Sequence, residues 1–464
     1  MIKIYDTLRA KKVDFVPLNE GKVGIYVCGP TVYDSAHLGH GRSAVSFDVI
    51  RKYFIYRDYE VKYVSNYTDI DDKMINRAKE EGISVEELSK KVFPIYARDY
   101  GALGIMVPDI QPLATQHVPE MIELIQALEK QGFTYILDDG VYYEVAKFKE
   151  YGKLSKQKLE DLRAGSRVDV KDGKKSPCDF VLWKFKKEGE PSWPSSWGEG
   201  RPGWHIECSA MTWKHLGEKF DIHGGGLDLT FPHHECEIAQ SEPVFGKGSF
   251  SKYWMHNGFI NVDNEKMSKS LGNFFTLKEI FEKYDPKVVR FMFLQTHYRN
   301  PVNFSNVLLD QAKAGLTRFH DFVRNLNMLL EQSGDGEISE NLNAEINIAR
   351  DGFESSMDDD FNTSGALGVV SEFVKAVNVM MKNTNLNKIE LSAVLNFLQL
   401  VDKVLGVIFV DHESVDDEVE ALIEKRNLAR KSRDFKASDE IRDELLNKGI
   451  VLEDTPKGTI WKKI

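Results

Sequence analysis

Four kinds of side chain in this 464-residue chain can do chemistry at close range, and their spacing suggests which. His37-Leu38-Gly39-His40 follows an apolar run that ends at Cys28-Gly29-Pro30. Two histidines separated by Leu-Gly at a helix start can both face a ligand. The glycine leaves the backbone open to a purine or phosphate, and a helix N-terminus favours anions. Lys266-Met267-Ser268-Lys269-Ser270 brackets small hydroxyl residues with two lysines, a loop suited to neutralising charge on a pyrophosphate leaving group. Each segment alone is as readily two surface histidines or an exposed basic loop. No G-x-x-x-x-G-K-[ST] loop is present, so P-loop chemistry is excluded.

Metal ligation is the third chemistry. His233 and Glu237 stand four apart after Pro232, which suits a first helical turn, so both would share one face. With Cys28 after a strand and Cys208 in Trp204-His205-Ile206-Glu207-Cys208, they make a possible tetrahedral zinc set. Scattered ligands make weak spacing evidence. Cys236, three residues after His233, is a softer alternative to Glu237. Cys178 precedes a predicted strand and reads as a packed core cysteine. Four cysteines in a chain this long are too few for a disulfide framework, which fits a reducing compartment. Asp69, Asp71 and Asp72 lack the spacing of a calcium loop and read as helix capping and solvated carboxylates.

These residues need a scaffold. Val23–Val27, a helix from about Gly41 to Tyr56, and Val61–Ser65 form strand–helix–strand, which implies a parallel α/β sheet with ligands at the carboxyl ends of its strands. Thr68 follows the second strand. His223-Gly224-Gly225-Gly226 allows close backbone approach, though a glycine turn is the simpler reading. The segment Gly189–Gly203 reads as an ordered loop. Later, three apolar stripes with alternating spacings of three and four begin at Leu309, Leu367 and Leu391, and predict antiparallel helices in a bundle. Glu331–Asn343 reads as a loop between them and Asp411–Glu418 as an acidic linker.

The expected fold class is therefore α/β: a Rossmann-like parallel-sheet catalytic domain with an insertion, then an antiparallel helical bundle and a small C-terminal α/β module. The expected boundaries are 1–115 and 200–300 for the catalytic domain, 116–199 for the connective insertion, 301–410 for the bundle and 411–464 for the terminal module. The module carries Arg426, Arg430 and Arg433 at i, i+4, i+7 and is net basic in a chain of net charge −11. A solvated helix face is the commoner cause of such a stripe; contact with RNA phosphate is the functional one. No run of 18 or more apolar residues appears and the N-terminus lacks an apolar leader, so neither a membrane span nor export is expected.

In this order the two phosphate segments match the HIGH and KMSKS signatures of class I aminoacyl-tRNA synthetases. Tyr26–Asp34, Asp69–Lys73, Gly200–Cys208, His223–Gly226, Leu452–Thr455 and Gly458–Trp461 resemble cysteinyl-tRNA synthetases, a likeness running from about residue 20 to the C-terminus. The resemblance implies ATP-dependent activation of L-cysteine to an adenylate, with Mg²⁺, and transfer to the tRNA for cysteine. By position it implies that His37, Gly39 and His40 hold ATP, and that Lys266, Ser268 and Lys269 close over its phosphates. It also implies one Zn²⁺ per chain on Cys28, Cys208, His233 and Glu237. Bound to the substrate thiolate, that metal would discriminate against serine, which a hydrophobic pocket could not exclude well. Gly29, Thr31, Thr68, Trp204 and His223 would shape the amino-acid pocket, and the arginine stripe would meet the tRNA. A cytoplasmic enzyme with no obligate protein partner is expected. Two alternatives remain: a mycothiol-pathway ligase joining cysteine to a small amine, and a non-catalytic zinc-stabilised RNA-binding protein.

Overall fold

A computed structural model describes all residues except 159–172, 263–264, 268–273, 411–414, 433, 448–449, 456–457 and 464. Residues Met1–Ile408 form one compact unit and Phe409–Ile464 a second.

The first unit is built on a four-stranded parallel sheet in the order Phe250–Asn257, Lys219–Gly226, Lys22–Val27, Glu60–Ser65. The central strand Lys22–Val27 carries a continuous apolar run because both faces are covered. Ile25, Tyr26, Val64 and Ile222 are fully buried. Parallel pairing requires a crossover after each strand. The helices Leu38–Tyr56, Trp204–Leu216 and Glu235–Phe245 supply these crossovers and converge near the strands' carboxyl ends. Here the sequence expectation of strand–helix–strand in a parallel sheet matches the observed α/β architecture.

Within residues 116–199 the chain forms a helix, Val118–Lys130, and the antiparallel strands Thr134–Leu137, Gly140–Tyr143 and Phe180–Phe185. A fourth strand, Gly200–Pro202, joins this sheet and departs from the expected irregular loop. Gly140 and Gly200 serve the close packing: a Cβ there would lie 2.2 Å from a carbonyl oxygen of the neighbouring strand.

The bundle contains four long helices, Asn306–Gln332, Glu340–Asp358, Thr363–Asn383 and Lys388–Leu405. The expected stripes mark three of them. The second helix begins inside the expected loop Glu331–Asn343 and continues beyond it to Asp358; its charged face dominates the composition while Leu342, Ile346, Ala349, Phe353 and Met357 are buried. The stripe on Thr363–Asn383 also shifts: Phe373 is buried where Val374 was expected. Among the described residues this helix alone is long and apolar enough to cross a membrane by length and composition. Its Ala366, Leu367, Val370, Phe373 and Val377 are buried, as on a core helix.

The second unit has helices Val415–Lys431 and Phe435–Asn447 and an antiparallel hairpin, Ile450–Thr455 with Gly458–Lys463. Its small core is Ile423, Leu445, Ile450 and Leu452. The expected acidic linker is already helical from Val415.

Candidate active site and metal centre

A cavity of about 390 Å³ opens at the carboxyl ends of the parallel strands. Cys28, Gly29, Thr31, His37, Gly39, His40, Thr68, Trp204, Cys208, His233 and Met267 are on its wall.

At one end the strand Lys22–Val27 delivers Cys28, the helix Trp204–Leu216 delivers Cys208, and the helix Glu235–Phe245 with its preceding turn delivers Glu237 and His233. Four donor atoms, two sulfurs, one imidazole nitrogen and one carboxylate oxygen, lie within 4.8 Å of one another. The Cys28 Sγ is 3.5 Å from the Cys208 Sγ and 3.5 Å from Glu237 Oε1, and His233 Nε2 is 3.0 Å from Glu237 Oε1. Zinc bonds of about 2.0–2.3 Å in a tetrahedron place donors roughly 3.3–3.8 Å apart, close to this spacing. A half-buried and a buried thiol, a buried imidazole and a buried carboxylate at such distances are costly without a compensating cation.

Protonation follows the same logic. Burial opposes ionisation of Glu237, but His223 and His233 hold its carboxyl well below the usual carboxylate range. Burial also opposes the Cys208 thiolate, but the hydrogen bond with Cys28 and the nearby His233 bring it down to about 6. Burial keeps the Cys28 thiol well above its usual value. Against the cost of burial, Glu237 raises His233 to about 10.

Two expectations change here. Pro232 does not open a regular α-helix: its peptide bond is cis, and Thr230–His234 forms a wide π turn before the α-helix at Glu235. His233 and Glu237 still meet at 3.0 Å across this junction. Cys236 points away from the donor set. Its Sγ is 3.3 Å from the Tyr151 hydroxyl, and it is 1 % exposed in the apolar core. That removes it as a competitor of Glu237.

A second donor group, Cys28, His223, His234 and Glu237, overlaps the first. His223 is fully buried, and its Nε2 is 2.7 Å from Glu237 Oε2. It backs the carboxylate instead of standing on the cavity wall, contrary to its expected place in the amino-acid pocket. His234 Nδ1 meets His256 Nε2 at 2.8 Å, whose Nδ1 meets Thr7 Oγ1 at 2.8 Å. His205 Nδ1 is 3.0 Å from His233 Nδ1. Sequence reasoning missed these histidines, because the contacts join strands and helices far apart in the chain. The dense His content of residues 205–256 was the available signal.

The other substrate-pocket residues are on the cavity wall. Gly29 lies against Asn66, where a Cβ would come 1.6 Å from its backbone oxygen, and its N–H donates to Asn66 Oδ1 at 2.9 Å. Only glycine lets this loop close. Thr31 and Thr68 pair as an isolated parallel bridge. Trp204, 38 % exposed, stacks on His233 with ring centroids 4.3 Å apart and planes 22° apart.

At the other end, His37 caps the helix Leu38–Tyr56, its Nδ1 accepting from the Gly39 and His40 N–H groups at 3.0 and 3.4 Å. A neutral imidazole that accepts through Nδ1 carries its proton on Nε2 and is a donor there. The His37 and His40 rings stack at 3.6 Å, and the Tyr96 hydroxyl lies 3.2 Å from His40 Nδ1. The absent Cβ of Gly39, which would stand 2.9 Å from His37 Cε1, makes room for that ring, and Gly39 is also on the cavity wall. Lys266 pairs with Asn261 in a short strand. Ser268 and Lys269 lie outside the described residues.

In the second unit Arg426 is 4 % exposed and its Nη1 is 3.3 Å from Thr459 Oγ1. It ties helix to hairpin and so leaves the expected surface stripe. Arg430 is exposed. Arg433 lies outside the described residues.

Known proteins match along the whole chain. A family model described as "tRNA synthetases class I (C) catalytic domain" matches residues 14–314, a "DALR domain" model matches 352–410, and "Cysteinyl-tRNA ligase anticodon binding domain" matches 412–461. The cysteine–tRNA ligase of Clostridioides difficile is 50% identical over 467 residues, covering 100% of both chains. That of Geobacter sulfurreducens is 48% identical over 478 residues, covering 99% of both. Among solved structures, Mycobacterium tuberculosis methionyl-tRNA synthetase with methionyl-adenylate superposes with a TM-score of 0.61 at 13% identity, covering 83% of this chain and 90% of that one. A leucyl-tRNA synthetase ternary complex from Agrobacterium radiobacter gives 0.62 at 10% identity, covering 85% of each. The structural likeness speaks for the fold, and the full-length identities speak for the family: this chain belongs to the cysteine–tRNA ligases among the class I aminoacyl-tRNA synthetases.

Proposed function

We propose that the chain activates L-cysteine with ATP and transfers it to the 3′ end of the tRNA for cysteine. The observation that carries this reading is one cavity with the metal donor set at one end and the paired histidines His37 and His40 at the other. Cys28, Cys208, His233 and Glu237 are the proposed ligands of one Zn²⁺. Three of them reach the cavity wall, whereas His223 and His234 lie behind it. The metal, when bound, holds the substrate sulfur as thiolate and so separates cysteine from serine.

The chain's own residues do the rest. Thr68 and the Gly29 loop fix the amino-acid backbone beside the metal end, and Trp204 covers it from the exposed side. His37 and His40 hold the ATP phosphates, with His37 donating from Nε2. The carboxylate of cysteine attacks the α-phosphorus as the bond to pyrophosphate breaks. Lys266 and Lys269 neutralise the charge leaving on pyrophosphate, with Ser268 between them in sequence and Mg²⁺ accompanying the nucleotide. Residues 1–115 and 200–300 serve as the catalytic domain, 116–199 as the connective insertion, 301–410 as the bundle and 411–464 as the anticodon module, with Arg430 as a candidate tRNA contact. The enzyme is assigned to the cytoplasm.

Cysteine-dependent ATP–pyrophosphate exchange without tRNA tests activation, and its absence would refute the reading. Charging of tRNA with a GCA anticodon separates this enzyme from a ligase that uses a small amine. Metal analysis tests the donor set: Glu237→Ala should lose bound zinc, while Cys236→Ala should retain it. Retention in both would move the site elsewhere.

A further inference from the structure

Arg42 stands two residues after His40, inside the helix Leu38–Tyr56, and is 1 % exposed. Its guanidinium meets no carboxylate among the described residues; burial alone acts on its charge. It grips one turn of chain instead. Nη1 donates to the Phe293 carbonyl at 2.8 Å, and Nη2 to those of His297, Tyr298 and Asn300 at 3.0, 3.4 and 3.1 Å. Burying a cation against carbonyls alone is costly, and an apolar side chain would fill the same space at lower cost. What an apolar chain cannot copy is the planar fork, which binds several fixed acceptors at once.

That turn, 295–301, joins the helix Pro286–Leu294 to the strand Val302–Phe304. Its other side meets Gly258, whose N–H donates to the Tyr298 carbonyl at 2.8 Å. A Cβ at Gly258 would lie 2.5 Å from the Asn300 carbonyl, so the approach is backbone to backbone. The strand Val302–Phe304 pairs with Ile260–Val262, and that strand pairs with Glu265–Lys266. The Met267 N–H then donates to the Ile260 carbonyl at 3.2 Å. Gly258, Ile260 and Met267 are all on the cavity wall. One turn and one strand pairing therefore join Arg42 to the stem from which the lysine segment departs. Past that segment the chain rejoins the same helix. His37 and Thr276 form an isolated antiparallel bridge, and the Leu38 N–H donates to the Phe275 carbonyl at 3.2 Å. Lys266 and Lys269 lie between the two attachments in sequence.

We propose that Arg42 is a positioning residue for adenylate formation: it holds the outgoing stem of the lysine segment against the helix that carries His37 and His40, so that both address one triphosphate. This rests on the ATP chemistry proposed above. Groups on separate elements act together on one nucleotide only if their spacing is fixed, and a misplacement of about 1 Å can cost about a hundredfold in rate.

The test uses the full-length zinc-loaded enzyme in ATP–pyrophosphate exchange. Arg42→Met should lower kcat by about tenfold or more. The KM for cysteine and the zinc content should be unchanged. Cysteinyl sulfamoyl adenosine mimics the adenylate and has no pyrophosphate for the lysines to meet, so its affinity should be equal in wild type and variant. Arg42→Lys keeps the charge, loses the fork and should share the defect. Added to Lys269→Ala, Arg42→Met should cost less than the product of the two separate losses, because both act through one segment. Should Arg42→Met fail to fold, Arg42→Lys carries the same comparisons. An unchanged exchange rate in both Arg42 variants would overturn the proposal. So would parallel losses for exchange, cysteine and the adenylate mimic, which would report general distortion, or strictly multiplicative losses with Lys269→Ala. These outcomes, in a background where wild type exchanges normally, sink this inference alone. Wild-type enzyme without cysteine-dependent exchange sinks the activation reading beneath it.

Discussion

At the scale of single residues, carboxylates adjacent in the chain have unrelated tasks. Asp69 accepts from the backbone and hydroxyl of Thr115, Asp71 caps the helix Asp72–Glu81, and Asp72 binds Lys184 and Arg201 at 2.5 Å each. Partial burial opposes ionisation of Asp72, but the two cations hold it down to about 2. An unfolded Asp titrates near 3.9. Because the folded value is the lower one, its contribution is complete above about pH 4 and is lost as pH falls toward 2. Asp72→Asn should therefore be less stable than wild type at pH 7, with the gap closing between about pH 4 and 2 in denaturant titrations. The side chain is 58% exposed, so screening limits the neutral-pH difference to about 1 kcal/mol or less. A gap that persists at pH 2 would refute the assignment.

Among the elements, the first long helix is fastened by arginines on both sides. Arg42 donates to the carbonyls of Phe293, His297, Tyr298 and Asn300. Arg290, in the helix Pro286–Leu294, returns the link by binding Asp48 at 2.6 Å and the carbonyls of Leu103 and Leu405. Arg290 and the Asp48 side chain are essentially unexposed. The geometry joins the helix that starts at His37 to the end of the last bundle helix, where Gly406 adopts a left-handed conformation with φ 65°. Removing Arg290 leaves Asp48 with the Lys52 ammonium, 2.8 Å away, and strips the Leu103 and Leu405 carbonyls of a donor, so Arg290→Met should cost about 3 kcal/mol in unfolding free energy, the low end for a broken buried pair. Adding Asp48→Leu should cost less than the sum of the two single changes. Strict additivity would show that the pair is not coupled.

The molecule as a whole divides at Ile408, with 56 residues beyond, from 409 to 464, in their own unit. The cavity and every proposed metal donor belong to the first unit. A chain ending at Ile408 should keep cysteine-dependent exchange near the full-length rate. Its tRNA charging should fall by at least about tenfold, the equivalent of 1.4 kcal/mol of lost binding. In the intact enzyme, Arg430→Ala should weaken charging with steeper losses at higher salt, and leave exchange unchanged. Unchanged charging by the truncated chain would refute the role assigned to the terminal unit.

Local patterns were enough for much of this. Apolar runs marked two of the four parallel strands, and three stripes marked three bundle helices, because periodicity reflects burial along one element. Family signatures nominated Cys28, Cys208, His233 and Glu237 from segments that the fold then brings within 4.8 Å. The bundle helix Glu340–Asp358 escaped notice because its charged face masked its apolar one. Arg426 looked like a surface cation because a stripe records spacing, not which face another element covers. Only tertiary packing decided that Cys236 turns to Tyr151, that His223 stands behind Glu237, and that Glu207 reaches Thr68 across 139 positions of chain. Each is a contact between elements distant in sequence, and no spacing along a single strand or helix encodes it.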